Sequence, residues 1–324
     1  MTAILADGEQ AESLGQGDEA VVLLDKTPFY AESGGQVGDT GVIRAGALQF
    51  EVQDTIKLAG VFHAHVGRVR SGSVKVGDSV TAAIDADRRR SIVLHHSATH
   101  LMHAALKEVL GDHVEQRGSL VAPDHLRFDF THPRAVTEQE LTEVERLVNQ
   151  EIRVNPDSDV QVMSFDDALK TGATALFGEK YGDRVRVVQF GAFSTELCGG
   201  THVDRVGDIG QFKIVEEAAI AAGIRRIVAV AGESAVERIQ TMDEQLKDLA
   251  RVLKVAPDAL EDRLRQVLDR SKTLEKEVAD LKSKMATASG DELLDRAEDI
   301  NGIKVLAARL DEVDPKSLRD TVDR

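Results

Sequence analysis

The chain's single cysteine, Cys198, opens the run Cys198-Gly199-Gly200-Thr201-His202, and about a hundred residues earlier stands His96-Ser97-Ala98-Thr99-His100. If the two runs act together, the fold must bring them to one point, and that requirement constrains this chain more than any other feature. The upstream run sits in a stretch of helical spacing, Ile92 through Leu106. On a helix, residues i and i+4 share a face roughly 5–6 Å apart, close enough for two imidazoles to hold one ion. The downstream run is glycine-rich and predicts a tight turn that folds a thiolate and an imidazole back on one point. Either pair alone suits solvated or core histidines. Together they offer three imidazoles and a thiolate, the donor set that Zn2+ selects. His103 shares a face with His100, so spacing alone also allows a His100/His103 pair.

With 324 residues the chain is long enough for two or three domains and a well-buried core. One cysteine excludes an internal disulfide framework and fits a reducing, cytoplasmic setting. No apolar run approaches the ~20 residues of a membrane span, and no signal-type apolar segment opens the sequence. The net charge of −16 argues against general electrostatic capture of nucleic acid. Two local basic runs, Arg88-Arg89-Arg90 and Arg225-Arg226, are candidates for phosphate contacts or are ordinary solvated faces.

The pattern along the chain predicts an α+β protein in four parts. Residues 1–87 read as short strands between Gly, Asp and Ser turns, as in a small β-barrel: Val21–Leu24, Gly41–Ile43, Leu48–Val52, His63–Val69 and Val74–Ile84. Residues 88–231 read as an α+β metal-binding domain. The histidine helix is followed by a hairpin, Gly118–Val121 and His125–Phe130, turned at Ala122-Pro123-Asp124. Thr137-Glu138-Gln139-Glu140 then opens a helix with a capping box, and strands follow at Val185–Val188, Gln211–Val215 and Ile224–Val230. Residues 232–290 predict a helical linker in which Leu260, Leu264, Val267, Ser271, Leu274, Val278, Leu281 and Met285 form a heptad seam. The seam suits a coiled coil or a helix packed on its own domain. A hinge is expected at Ser289-Gly290-Asp291. Residues 291–324 read as the start of a further domain, with a strand from Gly302 to Ala307 whose partners are expected outside this chain.

Five runs carry a close resemblance to the editing region of the alanyl-tRNA synthetases. They are Thr27-Pro28-Phe29-Tyr30-Ala31-Glu32-Ser33-Gly34-Gly35-Gln36-Val37-Gly38-Asp39, His96-Ser97-Ala98-Thr99-His100-Leu101-Met102-His103, Gln116-Arg117-Gly118-Ser119-Leu120-Val121, Leu126-Arg127-Phe128-Asp129-Phe130 and Cys198-Gly199-Gly200-Thr201-His202-Val203. The resemblance implies a small barrel, a hydrolytic editing domain and a coiled linker leading to a C-terminal tRNA-binding and dimerising domain. It also implies that the ATP-dependent aminoacylation domain lies upstream, so that the chain reads as a C-terminal fragment. Zinc would be held by His96, His100, Cys198 and His202, with Thr99, Gln116 and Ser119 near the aminoacyl group. The implied partner is tRNA(Ala) mischarged with Ser or Gly, with a homodimer through the linker and C-terminal domain.

Such an enzyme needs a second site because a pocket sized for alanine discriminates weakly against glycine or serine, by roughly 1–3 kcal/mol. Gln116 offers a donor and an acceptor to a serine hydroxyl, or is an ordinary glutamine at a strand start. Thr99 lies off the face of the two histidines, about 100° around the helix per residue. Glu32 could reach the site from the barrel or serve turn chemistry. Four protein ligands would close a tetrahedral zinc, so either one ligand yields to water or the metal only shapes the pocket. A free-standing trans-editing protein and a non-catalytic zinc-stabilised docking module are the rival readings.

Overall fold

The computed structural model describes residues 1–175, 182–294, 298–305 and 307. The chain divides into two compact units, Met1–Gln240 and Thr241–Arg324. The first unit opens with nine strands: β1 (Ala3–Ala6), β2 (Glu9–Ala11), β3 (Ser13–Leu14), β4 (Glu19–Leu23), β5 (Gly41–Ala45), β6 (Leu48–Leu58), β7 (Phe62–Ser71), β8 (Val74–Lys75) and β9 (Thr81–Ile84). Alternation drives them: along Leu48-Gln49-Phe50-Glu51-Val52, Leu48, Phe50 and Val52 turn inward, because a strand places every second side chain on one face. Ile4, Val22, Phe29, Ile43, Phe50 and Val69 form the resulting core.

Seven of these strands make one antiparallel sheet in the order β2-β1-β4-β7-β6-β5-β9, and β3 pairs with β8 apart from it. The expected barrel is therefore not closed by hydrogen bonds: β2 and β9 are edges. They are only three and four residues long, too short to bridge a barrel seam.

Helix α1 (Ala86–Leu110) follows directly. Asp85 caps it by accepting from the Arg88 N–H at 3.0 Å. Its face of Ile92, Ala98, Leu101, Met102, Ala105 and Leu106 is buried. The strands β10 (Gln116–Val121) and β11 (Leu126–Thr131) form the expected hairpin, with the Ala122 N–H donating to the His125 carbonyl at 3.0 Å. Helix α2 (Glu138–Val154) begins with the expected capping box between Thr137 and Glu140. Then come β12 (Ser158–Ser164), α3 (Phe165–Lys170), β13 (Arg184–Phe190), β14 (Ser194–Leu197), β15 (Phe212–Ala221) and β16 (Ile224–Ala231). One sheet runs β10-β11-β16-β15 and another β12-β13-β14. Helices α1 and α2 share a core with the first of these through Leu106, Phe128, Phe130, Val148 and Ile227.

The sequence pattern did not disclose β12: its residues are mostly exposed, so no buried stripe marks it. Beyond β16, α4 (Glu233–Leu253) and α5 (Leu260–Leu294) supply the expected long helical region. Helix α5 runs through Ser289-Gly290-Asp291, so no hinge breaks it there. One glycine in a helix interior costs only about 1 kcal/mol, which a helix of 35 residues absorbs. Among the described residues of the seam, Leu264, Leu274, Val278, Leu281 and Met285 are 47–70% exposed. The strand expected from Gly302 does have a partner in this chain: β17 (Glu298–Ile300) pairs with β18 (Ile303–Val305) across Asn301-Gly302. Leu306 and residues 308–324 lie outside the described residues.

Candidate metal centre

Helix α1 stacks His96 above His100 on its buried face, with ring centroids 5.3 Å apart. The turn after β14 brings His202 to 4.3 Å from the His96 ring and 4.5 Å from the His100 ring. Cys198 Sγ lies 3.4 Å from Nε2 of His96 and 3.2 Å from Nε2 of His202. The candidate ligand atoms of His96, His100, Cys198 and His202 all lie within 4.8 Å of one another. The hundred-residue closure demanded by the sequence is made, and His103 is not part of the cluster.

Two of the three imidazoles have a hydrogen-bond partner on the far side, and the third, His100, faces a carboxylate without a hydrogen bond. Nδ1 of His96 lies 2.7 Å from the side-chain oxygen of Gln36, Nδ1 of His202 lies 3.3 Å from Ser97 Oγ, and Nδ1 of His100 lies 3.5 Å from Glu196 Oε2. This is the outer arrangement that fixes ligating imidazoles in metal sites. Burial, reinforced by the neighbouring imidazoles, holds His96 and His202 well below the ordinary histidine range, and burial lowers His100 as well. Neutral rings present the lone pairs that a metal takes. Donor set, burial and outer partners thus fit a metal ion.

Glu196 supports the same site. Burial alone would raise its carboxyl, but the imidazoles against it and the hydrogen bond from His103 outweigh that and lower it. The Cys198-to-His202 turn is tied down by Arg186, whose Nη1 donates to the carbonyls of Cys198 and Gly200 at 2.9 and 2.8 Å. Beside the ligand atoms lies a cleft of about 370 Å³ bordered by Tyr30, Lys57, His96, Arg184, Arg186 and Cys198. That volume is within the range of small-ligand sites.

The three residues expected near an aminoacyl group have the following settings. Thr99 is buried and its hydroxyl donates to the His95 carbonyl at 2.8 Å, a bond within the helix. Gln116 borders a separate cavity of about 340 Å³ with His103, Lys107 and Thr174. Ser119 lies in β10, where its backbone passes under Gly35. Glu32 is exposed, and from the same loop it is Gln36 that enters the site. Gln36 was part of a quoted run, but nothing in its residue type marked it for this place.

His95, outside the cluster, is held by two backbone groups. His95 Nδ1 faces the Ser91 carbonyl at 2.9 Å and its Nε2 accepts from the Ala231 N–H at 3.1 Å. Both basic runs are occupied by carboxylates and carbonyls. Arg88 donates to the Gly38 carbonyl, Arg89 pairs with Asp39 and Arg90 with Asp87. Arg225 pairs with Glu217, and Arg226 reaches both oxygens of Asp129 at 2.6 and 2.8 Å.

Among the described residues no helix is long and apolar enough to cross a membrane. Residues 1–88 match the family model described as tRNA synthetases class II (A), and residues 185–228 match that of the threonyl and alanyl tRNA synthetase second additional domain. The whole chain is 53% identical to a stretch of a protein named alanine–tRNA ligase from Cupriavidus necator, covering 37% of that protein. Identity is 52% over all 324 residues to the alanine–tRNA ligase of Acidithiobacillus ferridurans, again covering 37% of the relative. With that of Paraburkholderia xenovorans it is 53% over 322 residues. The chain thus spans a little over a third of the length of the curated relatives it matches. By this kinship along its whole length, the chain belongs to the alanyl-tRNA synthetase family, in a stretch that includes the second additional domain.

Proposed function

We propose that this chain is an aminoacyl-tRNA ester hydrolase that removes serine and glycine from mischarged tRNA(Ala) and spares alanine. The observation that carries the reading is the convergence of His96, His100, Cys198 and His202, from segments a hundred residues apart, beside a cleft of substrate size. The donor set favours Zn2+ over harder cations, because a thiolate and three imidazoles are borderline-soft ligands. Bound there, zinc would supply a positive centre that polarises an ester oxygen or a water. The chain's own residues do the rest. Arg186 fixes the Cys198–Gly200 turn, Glu196 and Gln36 hold the imidazoles, and Lys57 and Arg184 give the cleft a cationic border suited to an RNA backbone.

The parts divide as 1–87, a β unit that abuts the site, 88–231, the editing domain, and a helical linker from 232 onward. The exposed seam of α5 suits a coiled coil with a second copy, giving a homodimer. Thr99, Gln116 and Ser119 remain the proposed contacts of the aminoacyl group, and the setting is cytoplasmic. The test is hydrolysis of seryl-, glycyl- and alanyl-tRNA(Ala) by the zinc-loaded chain. Rapid loss of the first two with alanine retained supports the reading, and stability of all three esters overturns it.

A further inference from the structure

We propose that Gln36 is a positioning residue of the metal centre, fixing the tautomer and direction of His96, so that the β unit at the start of the chain completes the site. The inference rests on the reading that His96, His100, Cys198 and His202 hold zinc. Gln36 has no exposed surface, and it lies in the loop between β4 and β5, sixty residues before the nearest ligand.

Its orientation follows from a donor that can act in only one way. The backbone N–H of Thr201 lies 2.9 Å from Oε1 of Gln36, and a backbone N–H only donates, so that end of the amide is the oxygen. The same oxygen is 2.7 Å from Nδ1 of His96. Two acceptors would repel at that separation, so Nδ1 carries the proton and Nε2 the lone pair. Nε2 is the nitrogen that faces Cys198 Sγ, at 3.4 Å. The other end of the amide donates to Thr201 Oγ1 at 2.9 Å. One side chain from the β unit therefore grips both half-sites at once, His96 on the helix and Thr201 in the Cys-to-His turn.

The loop that carries it is itself clamped. Gln36 and Ser33 exchange backbone hydrogen bonds at 3.0 and 3.2 Å, the Val37 N–H donates to the Val121 carbonyl at 3.1 Å, and the Val121 N–H donates to the Gly35 carbonyl at 2.7 Å. Gly35 has φ +85°, and a Cβ there would stand 2.6 Å from the Ser119 carbonyl oxygen, so the loop can lie this close to β10 only with glycine. The amide is thus delivered by a short, fixed segment. Partners of this kind change metal affinity by roughly 10–100-fold when removed.

The test uses the full chain and three proteins: wild type, Gln36→Glu and Gln36→Leu. Zinc affinity is read by competition with a chromophoric chelator, and ligand geometry from the absorption bands of the Co2+-loaded protein. Glutamate keeps an acceptor for His96 and for Thr201, so its affinity is expected within about threefold of wild type. Leucine has similar bulk and no acceptor, so it is expected to bind zinc roughly 10–100-fold more weakly and to shift the Co2+ bands. If Gln36→Leu does not fold, as read by circular dichroism, Gln36→Met replaces it. A side chain that only fills space would give the reverse order, with leucine tolerated and a buried carboxylate harmful. That order, or wild-type affinity in the acceptor-free variant, overturns the inference while leaving the metal reading intact. A wild-type chain that binds no zinc overturns both.

Discussion

Nδ1 of His103 stands 2.8 Å from Oε1 of Glu196, and the other oxygen of the same carboxylate lies 3.5 Å from Nδ1 of His100. One buried carboxylate thus bonds His103 and faces His100, two imidazoles three residues apart on α1, and only His100 belongs to the candidate metal cluster. Its removal is expected to act on both fold and site. Glu196→Ala leaves the His103 N–H buried without its charged acceptor, at a cost of about 1.5–3 kcal/mol. It also frees the His100 ring, with roughly tenfold weaker zinc binding. Urea unfolding and chelator competition measure the two effects. Wild-type values in both would contradict the role given to Glu196.

Gly200 tests the closeness of the turn to the helix. A Cβ on Gly200 would stand 2.0 Å from Cε1 and 2.5 Å from Nδ1 of His96, closer than atoms can approach, so the ring or the turn must move. Gly200→Ala is therefore expected to lose most zinc binding, measured by metal analysis after dialysis, while circular dichroism stays near wild type. An alanine variant with full zinc content would show that the turn has room to spare.

Charges divide into structural and substrate-facing sets. Arg226 reaches both oxygens of the largely buried Asp129. Arg226→Ala should cost about 1–3 kcal/mol by stranding that carboxylate. Lys57 and Arg184 are exposed at the cleft. Charge reversal at these two should leave the unfolding free energy within about 0.5 kcal/mol and raise the KM for aminoacyl-tRNA. Thermal unfolding and initial rates on the four proteins separate the sets. A raised KM in Arg226→Ala with unchanged stability would reverse the assignment.

The two halves of the candidate metal centre were legible because they depend on residue type and spacing alone: a helix fixes His96 against His100, and a glycine turn fixes Cys198 against His202. The strands of the first unit were legible where burial alternates, as at Leu48, Phe50 and Val52. What escaped was set by contacts distant in sequence. Gln36, Glu196 and Arg186 act on residues at least ten positions away and carry no periodic mark. The partner of the strand expected from Gly302, β17, was missed because an exposed strand of three residues leaves no hydrophobic stripe. The carboxylate partner of Arg226, Asp129, stands far off in the chain, so that pairing was not legible in the run itself.

Acid sensitivity is predicted from His65. Burial lowers its pKa; its Nδ1 donates to the Val22 carbonyl at 2.8 Å, and its Nε2 accepts from Thr27 Oγ1 at 2.7 Å. The unfolded chain, with histidine near 6.5, binds more protons than the fold in the window below that value. His65 thus contributes stability that is fully present above pH 6.5 and declines as pH falls toward the lowered folded pKa. In metal-free protein, unfolding free energy should fall between pH 7 and pH 5, and His65→Gln should flatten that slope by up to about 1.4 kcal/mol per pH unit. Equal slopes in the two proteins would remove His65 from the account.

The proposed editing activity depends on the four-ligand centre. The most direct measurement is the rate of seryl-tRNA(Ala) hydrolysis against bound zinc per chain, in chelator-stripped, reloaded and Cys198→Ala protein. The rate is expected to rise in proportion to bound zinc, to return on reloading, and to be absent from Cys198→Ala at the same zinc concentration. A rate that stays at the wild-type level in stripped and Cys198→Ala protein would contradict it.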